Sequence, residues 1–402
     1  MLSAGQSEVK RNFAVQIILV LLLQSFQTVS GAGIALLLPA IRKDLALSFT
    51  QGGSLAAANI FSYALLQLPA GYLADRFGLR RTFLIGGFGT TLLLLTFGLM
   101  TNYRYAILNQ TLAGIFHAFL FQSGLALLAN LFGPERRATA MGLTLVGIFS
   151  GQLLINGLGP ALAQHFTWRI PFLVLGGAGI LSVLAYLGFG RSMAGETPRQ
   201  SLRIAEALRL FAHPFMWVCG LLQYIRLGII QGISFWLPSL LIDEKGFALG
   251  AAGLILTLRS VLIAPSTMVG GYLSDRFRQP TAIMALSLIV LAITTAALVA
   301  LPAGGLLITL IMLNAVFVQF YFGPTFALPI ERYGTRMMGT LSGFGNLFAN
   351  LGAFCVTYLL GALKDRTGYF ESGFYTLTVA CVIGLALTFI LEKLRRRPPN
   401  ET

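Results

Sequence analysis

Arg226, in LLQYIRLGII (residues 221–230), and Arg259, in LTLRSVLIAP (256–265), each stand midway along a long apolar run that holds no other charged residue. A guanidinium is a planar, permanently charged fork of N–H donors, suited to grip a carboxylate or phosphate through two parallel hydrogen bonds. The chain has 14 carboxylates that could neutralise these cations, but all of them fall between apolar runs or at their ends. The counter-charge is therefore expected to arrive with a bound anion. An arginine that satisfies helix carbonyls or reaches an aqueous edge stays open as the blander reading.

Uncharged polar residues could complete such a site. Asn59, Tyr63 and Gln67 recur at i, i+4 spacing, as do Gln152 with Asn156 and Asn346 with Asn350, so each set shares one helix face. Gln223, Tyr224 and Gln231 flank Arg226, and Gln319 lies with Tyr321 in another run. Each alone reads as an interhelical hydrogen bond. Together they suit a polar cavity around two arginines. His117 is the one mid-run group that titrates near neutrality, with a packing histidine as its alternative. Cys219, Cys355 and Cys381 lie within apolar runs, which indicates neither a disulfide framework nor a metal cluster. No nucleophile sits beside a base and no phosphate-cradling loop follows a strand. Neither an enzyme, a nucleotide-driven pump nor a cofactor is expected.

The elements that hold these residues must be membrane helices. Hydrophobic residues make up 56% of the 402, charged residues 10%, and mean hydropathy is +0.79. Soluble domains average about 25% charged residues, so this chain cannot cover its surface against water. Runs of roughly 20 apolar residues, enough to cross a hydrocarbon core, number six between residues 14 and 190 and six between 214 and 391. The expected organisation is a bundle over 1–190, a polar linker with a short amphipathic stretch over 191–212, and a second bundle over 213–402. Lys10 precedes a first run too long for a signal peptide, so that run is expected to be a retained helix.

Most of the 28 Lys and Arg fall on one face of this arrangement, among them Arg76, Arg80, Arg136, Arg203, Arg276 and Arg395. Arg42, Arg104, Arg169, Lys245 and Lys364 take the other face. The excess places both termini in the cytoplasm. It also accounts for the net charge of +14 without any nucleic-acid partner.

The two halves echo each other. GYLADRFGLRR begins at Gly71 and GYLSDRFRQP at Gly271, 200 residues on; Glu135-Arg136 is answered by Glu331-Arg332, and Leu158-Gly159 by Leu360-Gly361. Same-sense repeats of this kind place a substrate site near the midplane between halves that rock about it. The loop of Gly71, Asp75, Arg76, Gly78, Arg80 and Arg81 resembles that between helices 2 and 3 of the major facilitator superfamily. Its second copy keeps Gly271, Asp275 and Arg276 but has Arg278 where Gly is usual. WRIPF at Trp168 and FWLPSLL at Phe235 add weaker support.

The resemblance covers the whole chain and implies an all-α membrane protein of twelve transmembrane helices in two six-helix bundles. It implies a monomeric secondary transporter in a bacterial inner membrane, in contact with lipid and working by alternating access. It also implies that Asp75 meets the N-terminal end of helix 11 near Met338; Asp75, Arg76, Arg80, Arg81, Asp275 and Arg276 are then expected to act as a latch, with arginines that serve only as topology determinants as the alternative. The positive helix terminus gives that contact a physical basis. An Arg on helix 8 is similar to what organic-anion branches of the superfamily use. Gln110, four residues before Gly114, replaces the Arg common in proton-linked exporters. The expected function is transport of a small organic anion, as exchanger or substrate/proton symporter. A multidrug or metabolite exporter is the alternative, and a non-transporting receptor the third.

Overall fold

The structure, a computed structural model, describes residues 2–132, 137–190, 213–334 and 338–396. Helices α1 (Leu2–Leu45), α2 (Phe49–Phe77), α3 (Leu79–Phe97), α4 (Tyr103–Phe132), α5 (Arg137–His165) and α6 (Arg169–Phe189) make up the first half. Then follow α7 (Pro214–Ser239, extended by a wider turn over Leu240–Glu244), α8 (Leu249–Phe277) and α9 (Pro280–Ala300). The tenth span is interrupted, with α10a over Gly305–Phe320 and α10b over Phe322–Tyr333; α11 (Met338–Thr367) and α12 (Glu371–Arg395) end the chain. No strand occurs among the described residues. Pro214 and Pro280 open α7 and α9, where a missing N–H costs nothing because the first helical donors have no partner inside the helix.

Ten helices among the described residues are long and apolar enough to cross a membrane. The two that fall short are α2, which carries Gln51, Asn59 and Gln67, and the 19-residue α3, which opens on Arg80 and Arg81. Large apolar side chains such as Ile85, Phe88, Leu181, Ile293 and Phe389 stay at least half exposed. Lipid, rather than water, is the solvent that such surfaces require.

Two compact units result: Met1–Leu47 with Ala58–Arg199, and Ser48–Ala57 with Gln200–Thr402. The first turns of α2 thus belong with the second unit. Inside each unit the helices pack in the same order. In the first, α1 lies along α5 while α3 lies along α4 and α6; in the second, α7 lies along α11 while α9 lies along α10a and α12. The closest crossings recur as well. A Cβ on Gly151 would strike the carbonyl oxygen of Ser25, and one on Gly352 would strike that of Tyr224. Apolar side chains gain nothing by leaving lipid for one another, so backbone contact of this kind has to hold the helices together.

The ends of each unit opposite the repeated loops are tied by charge. Asp44, closing α1, takes an ion pair from Arg169 at 2.6 Å and a hydrogen bond from Trp168 Nε1 at 3.2 Å. Glu244, at the corresponding end of α7, accepts the Phe370 N–H at 2.9 Å and pairs with Lys364. Trp168 of the WRIPF motif is therefore part of a clamp on the start of α6.

The two copies of the repeated loop both turn through a residue of positive φ, but with different ψ, 139° at Gly78 and 31° at Arg278. Gly78 has φ 91° and its counterpart Arg278 has φ 52°, both left-handed. A side chain with a Cβ is strained there by about 1 kcal/mol or more. Arg278→Gly is accordingly expected to raise the thermal midpoint of the purified protein in a melting experiment. A lower midpoint would mean that the exposed Arg278 side chain stabilises the fold by more than the turn costs.

Candidate functional site

The two intramembrane arginines occupy different environments. Arg259, on α8, is 1% exposed, and its Nη1 donates to Ser234 Oγ of α7 at 3.1 Å. Its Nε and Nη2 have no hydrogen-bond partner among the described residues. A buried, uncompensated charge is costly, and removing one partner of a buried pair typically destabilises by about 3–5 kcal/mol. Because Nε and Nη2 carry hydrogens along one edge of the guanidinium plane, the vacant edge has the form that receives a carboxylate side-on.

Arg226, on α7, is also buried, but its fork is occupied. Nε donates to Gln223 Oε1 at 2.7 Å and Nη1 to Gln319 Oε1 at 3.2 Å. Its Cζ lies over the Phe322 ring, 4.8 Å from the centroid, and over that of Phe326 at 5.9 Å. Gln223 and Gln319 are thus committed to Arg226. Tyr224 meets Cys355 through its hydroxyl, and Gln231 is half-buried further along α7. On α11, Asn346 is exposed while Asn350 donates back to the Asn346 carbonyl at 2.8 Å.

In the first unit the polar residues divide in two. Asn59 reaches Gln110 at 3.3 Å, Gln110 reaches Asn109 at 3.0 Å, and Asn109 reaches Thr96 and the Leu93 carbonyl of α3. This chain joins α2, α4 and α3, and Gln110 belongs to it. Tyr63 instead bonds Gln67 of its own helix and Gln27 of α1, and its ring faces Phe121. His117 is buried with Nε2 unpartnered, and both side-chain polar atoms of the buried Gln24 are unpartnered among the described residues. Asn156 is buried and Gln152 half-buried on α5. Gln24 and Gln27 were not singled out in the sequence, though their i, i+3 spacing on α1 marks one face.

Of the loop residues, Arg80 Nη2 donates to the Leu187 carbonyl at 3.1 Å, binding the start of α3 to the end of α6. Arg76 and Arg81 are exposed; Asp275 and Arg276 are exposed too, and Arg276 donates to Tyr272 Oη at 3.0 Å. Gly71 meets nothing within 4 Å of a notional Cβ. The side chains of Asp75 and Met338, together with Glu135, Arg136 and the linker 191–212, lie outside the described part of the structure.

A contact of the latch type does stand within the second unit, on residues the sequence reading passed over. The Asp365 carboxylate, in the last turn of α11, accepts the Phe49 N–H at 2.8 Å and the Thr50 N–H at 2.6 Å, the first donors of α2. Gly53, one turn on, lies against the Trp236 ring and the Thr357 carbonyl, which the Trp236 Nε1 also reaches. The signal was available: Asp365-Arg366-Thr367-Gly368 repeats the pattern of Asp75-Arg76-Phe77-Gly78, and both glycines have positive φ.

Duplicated helical units, apolar outer surfaces and a buried cation with a vacant edge define a membrane protein of the transporter class. The sequence profile of the Major Facilitator Superfamily matches residues 20–357 and 241–402, and the chain belongs to that family. It is 23% identical to a hexuronate transporter of Bacillus subtilis over 84% of each chain. It is 24% identical to a D-galactonate transporter of Escherichia coli over 92% of this chain and 93% of that one. It is 24% identical to multidrug resistance protein 2 of Bacillus subtilis over 94% and 95%. Among solved structures, an inward-facing, unoccupied bacterial homologue of the human lysosomal transporter Spinster superposes with a TM-score of 0.80, covering 96% of this chain and 99% of that one at 18% identity. That likeness concerns the fold. The chain is a transporter rather than an enzyme.

Proposed function

We propose that the protein carries a small organic anion of the sugar-acid type across the membrane, with the substrate carboxylate seated on the vacant edge of Arg259. The observation that carries this reading is the buried Arg259 guanidinium with Nε and Nη2 unpartnered. Relatives named for hexuronate and galactonate transport support it, since both substrates pair one carboxylate with several hydroxyls. No carboxylate lies mid-span to relay protons, so the coupling that fits is anion exchange, or symport in which the substrate brings its own proton. The working form is a monomer surrounded by lipid.

A thermal-shift panel on the purified protein tests the class, using D-galactonate, D-glucuronate, sulfoacetate, nitrate and the cationic dye ethidium. A ligand that binds only the folded state stabilises it by mass action. A sugar acid is expected to give the largest upward shift. A shift with ethidium alone would replace this reading by a multidrug exporter, as in the relative of that name.

A further inference from the structure

The break in the tenth span has a local cause. Pro324 has no N–H to offer the Phe320 carbonyl four residues back, so the ladder cannot continue through that turn. Tyr321 leaves helical geometry at φ −100°, ψ 12°, and α10b restarts with Thr325 N and Oγ1 both donating to the Tyr321 carbonyl, at 3.2 and 2.6 Å. Glycines let α8 approach the joint closely. A Cβ on Gly270 would strike the Phe320 carbonyl oxygen, and one on Gly323 would stand 3.3 Å from Gly271 Cα, so α8 bears on the break backbone to backbone.

One side chain reaches both pieces. Arg226 donates to Gln319 in the last turn of α10a, and its guanidinium carbon lies over the rings of Phe322 and Phe326 in the first turns of α10b. Gln223 fixes Nε at 2.7 Å and thereby sets the plane of the fork. We infer that Arg226 is a positioning residue that pins the two pieces of the interrupted tenth helix at a fixed angle, and that it is not an anion ligand. Its hydrogen bond to Gln319 and its ring contacts lie on opposite sides of Tyr321. A cation over an aromatic ring contributes more in a desolvated site than in an exposed one, so the pin gains strength from burial. Lysine cannot replace it. An ammonium lacks the plane that lies on the rings while donating sideways to two amides. This division of labour leaves Arg259 as the one buried guanidinium with a vacant edge among the described residues.

The test reads the angle directly, in the full chain. Spin labels at Thr309→Cys on α10a and Glu331→Cys on α10b, in a Cys355→Ser background, report the distance across the joint by pulsed electron resonance. Both labelled positions are exposed. The parent is expected to give one narrow distribution. Arg226→Met and Arg226→Lys should each add a second, shifted population. The double variant Phe322→Leu/Phe326→Leu, which keeps the charge and removes the rings, should add the same population. An unchanged single distribution in Arg226→Met that still elutes as the parent does on size exclusion overturns the inference. If Arg226→Met misfolds, the double variant decides alone. A second arm measures D-galactonate binding: Arg226→Met should retain the parent's affinity. Loss of binding in Arg226→Met with an unchanged distance distribution makes Arg226 a ligand and also overturns the inference. Should D-galactonate not bind the parent at all, the sugar-acid reading fails while the distance arm still judges the pin.

Discussion

Arg259→Ala is expected to abolish binding of the transported anion, a loss of about 2–5 kcal/mol, or roughly thirty-fold and more in affinity. Arg259→Lys should restore only part of it, because an ammonium cannot present the two parallel donors that Nε and Nη2 offer. Ser234→Ala removes the hydroxyl that receives Nη1 at 3.1 Å and should cost about 1 kcal/mol, through looser orientation of the fork. Isothermal calorimetry on the parent and the three variants measures these differences. A second quantity separates a ligand site from a structural ion pair. No described carboxylate contacts Arg259, so truncating it orphans only the Ser234 hydroxyl, leaves no unpaired counter-charge, and removes a buried charge that the empty protein must carry. Without ligand, Arg259→Ala should melt no lower than the parent, and higher if desolvation dominates. Undiminished anion binding by Arg259→Ala would remove the central support for the organic-anion reading.

The sequence was most informative where physics leaves few options. A chain with 10% charged residues and runs of about 20 apolar residues can only be a set of membrane helices. The repeat at Gly71 and Gly271 fixes two like units, and the structure repeats their internal packing down to Gly151 and Gly352. Arg226 and Arg259 were identifiable for the same reason, being charges in lipid-thickness runs. Their separate roles were not legible. What distinguishes them is the company each fork keeps, and Gln319 and Phe322 come to Arg226 from 93 and 96 residues away in sequence. Spacing within one helix carries no trace of such neighbours. The polar set was only partly legible for a similar cause: Asn59 and Tyr63 share a face of α2, yet one turns to Gln110 and the other to Gln27. Asp365 was overlooked because a carboxylate at a helix end looks like any other loop charge until the helix it caps is known.

Asp365→Asn should therefore loosen the start of α2. The carboxylate receives two backbone donors at 2.8 and 2.6 Å, and both are first-turn N–H groups that have no partner inside their own helix. Removing a cap of this kind costs about 0.5–2 kcal/mol. Asparagine keeps one acceptor oxygen and loses the charge that favours a helix N-terminus, so the loss should lie near the lower end, about 1 kcal/mol. Asp365→Ala should lose more. Hydrogen exchange reads the effect at its source: the amides of residues 49–53 should exchange about five-fold faster in Asp365→Asn, the factor that 1 kcal/mol implies. Transport should respond as well. The unit boundary falls within α2, after Ala57, so the first turns of that helix belong with α11 while the remainder belongs with α1 and α4. Any movement of one unit against the other must bend α2 near that boundary or release its first turns from Asp365. If release is the route, Asp365→Asn changes turnover in vesicles while leaving anion affinity in detergent unaltered. If bending is the route, exchange at residues 49–53 quickens and turnover stays as it was. Unchanged exchange in both variants would show that Gly53 against Trp236 and Thr357, rather than the carboxylate, holds the start of α2 in place.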